Sequence, residues 1–389
     1  MKKILLFESP ITSLSGYGEH AREIASYLIK FESYFDLYFV DRTWGKSHSM
    51  FKLNNDSLRN ILTKKINTQI AENIDLYIKL GYPSEFRPIG KNNIGITALV
   101  ESTLCSKDFL IGCNQMDRVI VPSQFNKTTL LDSYDHHSIE NKTSIDVIPQ
   151  HISLNKVKES KTEVKQYIDN IEDEFCFLYN GKWNEDTTID RKNVAMLIST
   201  FIYAFKDLQV KPALVLKTNH NNYSEVDFDR VTKSIKSIIG DSHVKVPNIY
   251  LLHGNLNSAE MSDLYLHDKI KCGLNFSHGE SFGRPIIETI LSNKPILVPK
   301  WSAPCEYITN DMFFLEGNLV NNPKVDNVYI EEGKWFDIDY QSASKKLLDV
   351  YNNYDKYLNV CLSQVKKIKD KHSNNVVFKR YKDVLDIYL

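Results

Sequence analysis

Cysteine is sparse and shows no pairing pattern. The six residues Cys105, Cys113, Cys176, Cys272, Cys305 and Cys361 include no C-x-x-C spacing. That excludes a zinc ribbon or a disulfide framework and leads us to expect a reducing, cytoplasmic compartment. Long apolar runs are missing too: no segment approaches the roughly 18 residues that would cross a bilayer, so no membrane span is expected. Met1-Lys2-Lys3 and the run Ile4 to Phe7 imitate the start of a signal peptide, but Glu8 interrupts them and they read as a first strand. Charge of one sign is not in excess. With 48 basic and 49 acidic residues the formal net charge is -1, so nothing global announces a nucleic-acid or membrane partner.

What is present is alternation. Ile4 to Phe7, Tyr34 to Val40, Ile74 to Ile78, Asn93 to Val100, Arg118 to Val121 and Ser144 to Pro149 read as strands separated by amphipathic helices. A polar, mixed-charge run from Lys156 to Glu163 follows and reads as a linker. Phe175 to Tyr179, Leu214 to Lys217, Ile249 to Leu252, Cys272 to Phe276 and Pro295 to Pro299 then repeat the pattern. Such alternation implies parallel sheets, and 389 residues are too many for one ordinary core. We expect an α/β protein with Rossmann-like domains over 1–155 and 156–370 and a closing helical segment over 371–389.

One stretch concentrates chemistry. In His278-Gly279-Glu280-Ser281-Phe282-Gly283-Arg284-Pro285-Ile286-Ile287-Glu288, a strand gives way to a tight loop and then to a helix. Pro285 is favoured at a helix start, the glycines allow the turn, and the first helical N–H groups lack internal partners and can bind an anion such as a diphosphate. Glu280 falls in the loop and Glu288 about one turn into the helix, too separated for a simple dyad. Upstream, Gly181-Lys182-Trp183 and Asp190-Arg191-Lys192-Asn193 place cations where a loop enters a helix, apt for neutralising a departing diphosphate. A competing pattern is Gly16-x-Gly18-x-x-Ala21 with Asp41 further on, which matches a dinucleotide fingerprint. Glu8 to Ser15, however, intervene between that pattern and its strand.

Two glutamates separated by seven residues in the frame E-S-F-G-R-P-I-I-E resemble the hallmark of glycosyltransferase family 4, the retaining enzymes of GT-B fold. The resemblance implies two Rossmann-like domains facing across a cleft, with a last helix crossing back to the first. It implies transfer of a sugar from a nucleoside diphosphate, a UDP-sugar above all, with no metal, no other cofactor and no invariant protein nucleophile. Carried over residue by residue, it gives Glu280 to the donor sugar, Glu288 to the ribose, and the loop Ser281, Phe282 and Gly283 to the phosphates. Lys182 and Lys192, with Arg191 beside them, would meet the same phosphates. Gly16 and Gly18 would approach them from the first domain, and His253 and Gly254 would frame the base. Glu101 stands where the family often has a sugar-contacting His, and Gln150-His151 replaces the usual Asn-Gly. The stretches Asn93 to Ala98 and Asn114 to Ser123 resemble phage glycosyltransferases, which admits hydroxymethylated DNA (hydroxymethylcytosine) beside saccharides as acceptor, with Trp44 to Lys65 as its contact loop. A nucleotide-sugar epimerase of the same fold, an NAD-dependent oxidoreductase and a non-catalytic binder of nucleotide sugars remain alternatives. The oligomeric state is not legible.

Overall fold

A computed structural model describes residues 2–42, 44, 73–152, 162–184, 190–240, 246–325 and 327–389. Apart from Trp44, the proposed contact loop lies outside the described residues, and so does most of the linker. The chain divides into two compact units. Unit 1 is Met1–His151, Asn321–Lys334 and Lys371–Leu389, and unit 2 is Ile152–Val320 and Trp335–Asp370.

Unit 1 holds six parallel strands, β1 (Lys3–Ser9), β2 (Phe35–Asp41), β3 (Leu76–Leu80), β4 (Asn92–Ile96), β5 (Arg118–Val121) and β6 (Ser144–Val147), in the order β2-β1-β3-β4-β5-β6. Helices α1 (Gly16–Leu28), α2 (Lys107–Cys113) and α3 (Gln124–His136) connect them. Ser15 and Ser123 cap α1 and α3 by accepting from the amides of Gly18 and Asn126. The inner strands β1, β3, β4 and β5 are largely buried on both faces, which is why they read as near-continuous apolar runs. Leu5, Phe7 and Ile78 meet Ala21 and Ile24 of α1 on one face, while Leu6 and Val119 meet Phe109, Leu130 and Tyr329 on the other. Strand β4 stops at Ile96, short of the expected Val100. Leu99 has φ 52°, a left-handed conformation that breaks the ladder, and its amide donates to Thr97 Oγ1.

Unit 2 opens with α4 (Glu163–Asp169) and carries β7 (Cys176–Asn180), α5 (Val194–Phe205), β8 (Ala213–Lys217), α6 (Glu225–Ile239), β9 (Ile249–Leu252), α7 (Ser258–Leu266), β10 (Ile270–Leu274), α8 (Arg284–Leu291), β11 (Ile296–Pro299), α9 (Pro304–Tyr307) and β12 (Phe314–Leu315). Its six strands are parallel in the order β12-β11-β10-β7-β8-β9. The first strand β7 is flanked by β8 and β10, so the winding reverses between β7 and β10. In open α/β sheets ligands bind outside the carboxyl ends of the strands at such a switch point. Gly273 of β10 lets α8 approach closely, since a Cβ there would lie 2.8 Å from Thr289 Cγ2. A two-stranded sheet, β13 (Gly317–Asn321) and β14 (Lys334–Ile338), precedes α10 (Tyr340–Asn352) and α11 (Tyr354–His372). The last helix, α12 (Asn374–Leu385), belongs to unit 1, where Val377 and Tyr381 join the α1 side of the core.

Candidate active site

At the switch point of unit 2 the loops after β7 and β10 converge on Glu280. This side chain is buried and its carboxylate is densely bonded. Lys192 Nζ donates to Oε1, Asn275 Nδ2 and Ser277 Oγ each donate to the same oxygen at 3.0 Å, and Arg191 Nη1 lies 3.9 Å from Oε2. Burial alone would raise its pKa. The charges of Lys192 and Arg191, with the Lys192 and Asn275 hydrogen bonds, outweigh burial and hold it down at about 2. Glu280 is therefore ionised at neutral pH and serves as an acceptor of hydrogen bonds, not as a general acid.

The loop backbone is held from behind. Glu280 donates its amide to Ser302 Oγ at 3.0 Å and accepts from the Ala303 amide at 3.2 Å, while Tyr307 donates its hydroxyl to the Phe282 carbonyl at 2.8 Å. Gly283 caps α8 at φ 81°, and a Cβ there would stand 2.8 Å from Ile286 Cδ1 and 2.9 Å from the Tyr307 hydroxyl. Only glycine fits both the backbone and the space. Among the described residues the amides of Ser281 and Gly283 have no acceptor, and the buried Ser281 Oγ has no partner. Donors left open beside two cations at a helix start form an anion cradle.

Arg191 also donates to the Gly279 carbonyl at 2.7 Å, and the His278 amide donates to the Arg191 carbonyl at 2.8 Å, so the two loops are tied to each other. Asp190 accepts from the Val194 amide and orders the start of α5; burial pushes its pKa up. His278 stacks on Trp335 at 4.2 Å between centroids, and its Nδ1 donates to the Phe336 carbonyl at 2.7 Å. Burial lowers its pKa, so the neutral ring keeps Nε2 as an acceptor. Lys182 is exposed after β7.

Glu288 lies on the α7 side and shares a hydrogen bond with the fully buried Tyr265 hydroxyl, which also accepts from Asn180 Nδ2 at 2.7 Å. His253 turns its imidazole onto Asp227, with Nε2 at 3.0 Å from Oδ2, and is 5% exposed. Among the described residues, a Cβ on the neighbouring Gly254 would meet nothing within 4 Å. In unit 1, Gly16 opens α1, and Gly18 passes so close to Ser13 that a Cβ would lie 1.9 Å from the Ser13 carbonyl oxygen. Glu101 follows β4 and accepts from the Tyr329 hydroxyl at 3.1 Å. His151 is held by the His372 carbonyl at 2.9 Å.

The structure thus brings Lys192, Arg191, Glu280, Ser281, Phe282 and Gly283 together and gives Glu288 and His253 separate partners. The supporting groups Asn275, Ser277, Ser302, Tyr307, Tyr265 and Asn180 were not anticipated. Two Asp-x-Asp stretches occur, Asp227-Phe228-Asp229 and Asp337-Ile338-Asp339, and three of these aspartates have partners within the fold. Asp227 takes His253 and two backbone amides, Asp337 accepts from Tyr340, and Asp339 caps α10. Among the described residues no group of three or more His, Cys, Asp or Glu side chains could hold a metal ion, and no helix is long and apolar enough to cross a membrane.

No family model matches the chain, and no curated protein matches it in sequence. Solved structures do match. Sucrose-phosphate synthase from Thermosynechococcus elongatus superposes with TM-score 0.66 at 10% identity, covering 99% of both chains. Anabaena HepE in complex with UDP-glucose gives 0.64 at 12%, covering 99% of both. The N-terminal domain of Candida albicans trehalose-6-phosphate phosphatase gives 0.63 at 12%, covering 100% of both. The fold is therefore GT-B, two Rossmann-like α/β domains.

Proposed function

We propose that this chain is a glycosyltransferase that moves a sugar from a UDP-sugar to a hydroxyl of a saccharide, with retention at the anomeric carbon. One observation carries the reading: an ionised, buried Glu280 shares Lys192 and Arg191 with an open cradle of amides at the switch point of unit 2. A diphosphate on the Ser281 and Gly283 amides would lie beside the positive charges of Lys192 and Arg191, and Glu280 would accept hydrogen bonds from the donor-sugar hydroxyls. As the bond from C1 to the phosphate oxygen breaks, negative charge builds on the leaving UDP, where the α8 start and the two cations stabilise it. The acceptor oxygen bonds to C1 from the same face, and its proton passes to the departing phosphate oxygen. Glu280 acts here as a hydrogen-bond acceptor and charge, and no step uses it as a nucleophile. Complexes of HepE with UDP-glucose support the choice of donor.

Charge favours the saccharide over DNA. Unit 1 carries 23 Lys and Arg against 22 Asp and Glu, whereas phosphate-backbone binding draws on an excess of cations. Incubating the protein with a panel of nucleotide sugars and following thermal stabilisation and UDP release tests the reading. Stabilisation by UDP-sugars with slow UDP release is expected. Stabilisation by NAD in their place would contradict it.

A further inference from the structure

Lys217 closes β8 at the carboxyl edge of unit 2, and it is out of place there. It is 5% exposed, yet among the described residues its ammonium has one hydrogen-bond partner, the Tyr223 hydroxyl at 2.8 Å, and no carboxylate within ion-pair distance. An ammonium carries three donors and no acceptor, and burying one so incompletely paired is costly unless a ligand completes it. Burial brings its pKa down to about 8, which still leaves it mostly protonated at pH 7. The next residue repeats the theme: Thr218 is 1% exposed and its hydroxyl has no partner.

Register says what lies on either side. Lys217 is the ladder partner of Asn180 on β7 and of Leu252 on β9, on the face where Leu178, Val215 and Leu252 meet α7. Asn180 leads through Tyr265 to Glu288, the carboxylate assigned to the ribose. On the other side Tyr223, the partner of Lys217, packs edge-on against His253 at the end of β9, with centroids 5.2 Å apart. Adjacent strands are about 4.8 Å apart, so Lys217 stands one strand beyond the ribose position. The part of a nucleotide joined directly to the ribose on that side is its base.

We propose that Lys217, with Thr218 beside it, reads the nucleobase by donating to a ring carbonyl oxygen, and so selects a keto base such as uracil over an amino base such as cytosine. The proposal rests on the nucleotide-sugar reading above and deepens it. Uracil offers an acceptor, O4, where cytosine carries an amino donor. Opposed to an ammonium, that amino group leaves two buried donors unpaired, the kind of mismatch that discriminates strongly. The threonine hydroxyl can donate or accept and so follows whichever base the lysine admits.

The test is calorimetric binding of UDP, GDP, CDP, ADP and inorganic pyrophosphate to the full chain and to Lys217→Met. Wild type is expected to prefer the keto-base diphosphates, UDP over CDP by about tenfold or more. In Lys217→Met the UDP affinity falls by a similar factor while CDP and pyrophosphate change less than about twofold, so the ratio collapses. Replacing a buried, under-paired charge by an apolar chain of similar length should leave folding intact. If that variant does not fold, the wild-type order of the four bases still decides, and a preference for CDP or ADP overturns the proposal. So does an unchanged ratio in the variant, and so does an equal loss of pyrophosphate binding, which would make Lys217 a phosphate ligand. Failure of wild type to bind any nucleoside diphosphate removes the nucleotide reading and the proposal together, whereas binding with an unaltered ratio removes the proposal alone.

Discussion

Lys192 Nζ donates to Glu280 Oε1, joining the start of α5 to the loop after β10 across 88 positions of sequence. The pairing lets a carboxylate and an ammonium sit together in a largely buried site. Each offsets the other's charge in the low-dielectric surroundings of the loop.

Glu280→Gln keeps the shape but removes the charge and one strong acceptor. Turnover should fall about a hundredfold or more, because the donor sugar loses its orienting carboxylate in the transition state. Steady-state UDP release with a saccharide acceptor measures it, and near-wild-type turnover would remove Glu280 from the site.

The same substitution has a pH signature. The folded pKa of Glu280 is lowered to about 2 from an ordinary 4.5. Its contribution to stability is therefore present above pH 4.5 and is lost as pH falls through the folded value. From the shift, that contribution is at most roughly 3 kcal/mol. Urea midpoints of wild type and Glu280→Gln should differ at pH 7 and draw together as the pH falls from 4.5 toward about 2. A gap that stays constant with pH would mean that the charge of Glu280 is not what stabilises the loop.

Lys192→Ala should raise the barrier by about 2–4 kcal/mol, since it withdraws a cation from the leaving diphosphate. Binding of free uridine should barely change. Equal losses for uridine and UDP-sugar would show that this lysine does not meet the phosphates.

Tyr265→Phe isolates the second glutamate. The hydroxyl accepts from Asn180, so its own proton is directed to Glu288, and removing it frees that carboxylate to turn. UDP affinity should drop by about 1 kcal/mol while turnover at saturation is kept. With 2′,3′-dideoxy-UDP the variant and wild type should bind alike. A loss of the same size for the dideoxy ligand would place the effect on folding, not on the ribose.

Much of this was legible in the sequence, for identifiable reasons. Alternating apolar runs and helical periods gave the two parallel sheets, because strands buried on both faces cannot hide their composition. The α8 start was legible through Gly283 and Pro285, and the cations Arg191 and Lys192 through their place ahead of α5. The groups that support them were not. Ser302 and Tyr307 are ordinary polar residues until α9 carries them under the loop, and Asn180 meets Tyr265 only because β7 lies beside α7. Lys217 looked like the polar end of a strand, since sequence gives no hint that its ammonium is buried with one partner. The return of residues 321–334 to unit 1 rests on Tyr329 and its neighbours joining the α2 side of that core, a tertiary event without a local signature. Leu99 was read as strand because its left-handed φ is imposed by context, against the preference of leucine.

The most direct test follows the anomeric carbon. Proton NMR of a UDP-sugar mixed with the protein and a saccharide pool reports UDP release, the new glycosidic proton and its coupling constant together. The account predicts UDP release matched by an α-linked product from an α-linked donor, lost in Glu280→Gln and Lys192→Ala. A β-linked product, or an epimerised sugar still attached to UDP, would contradict it.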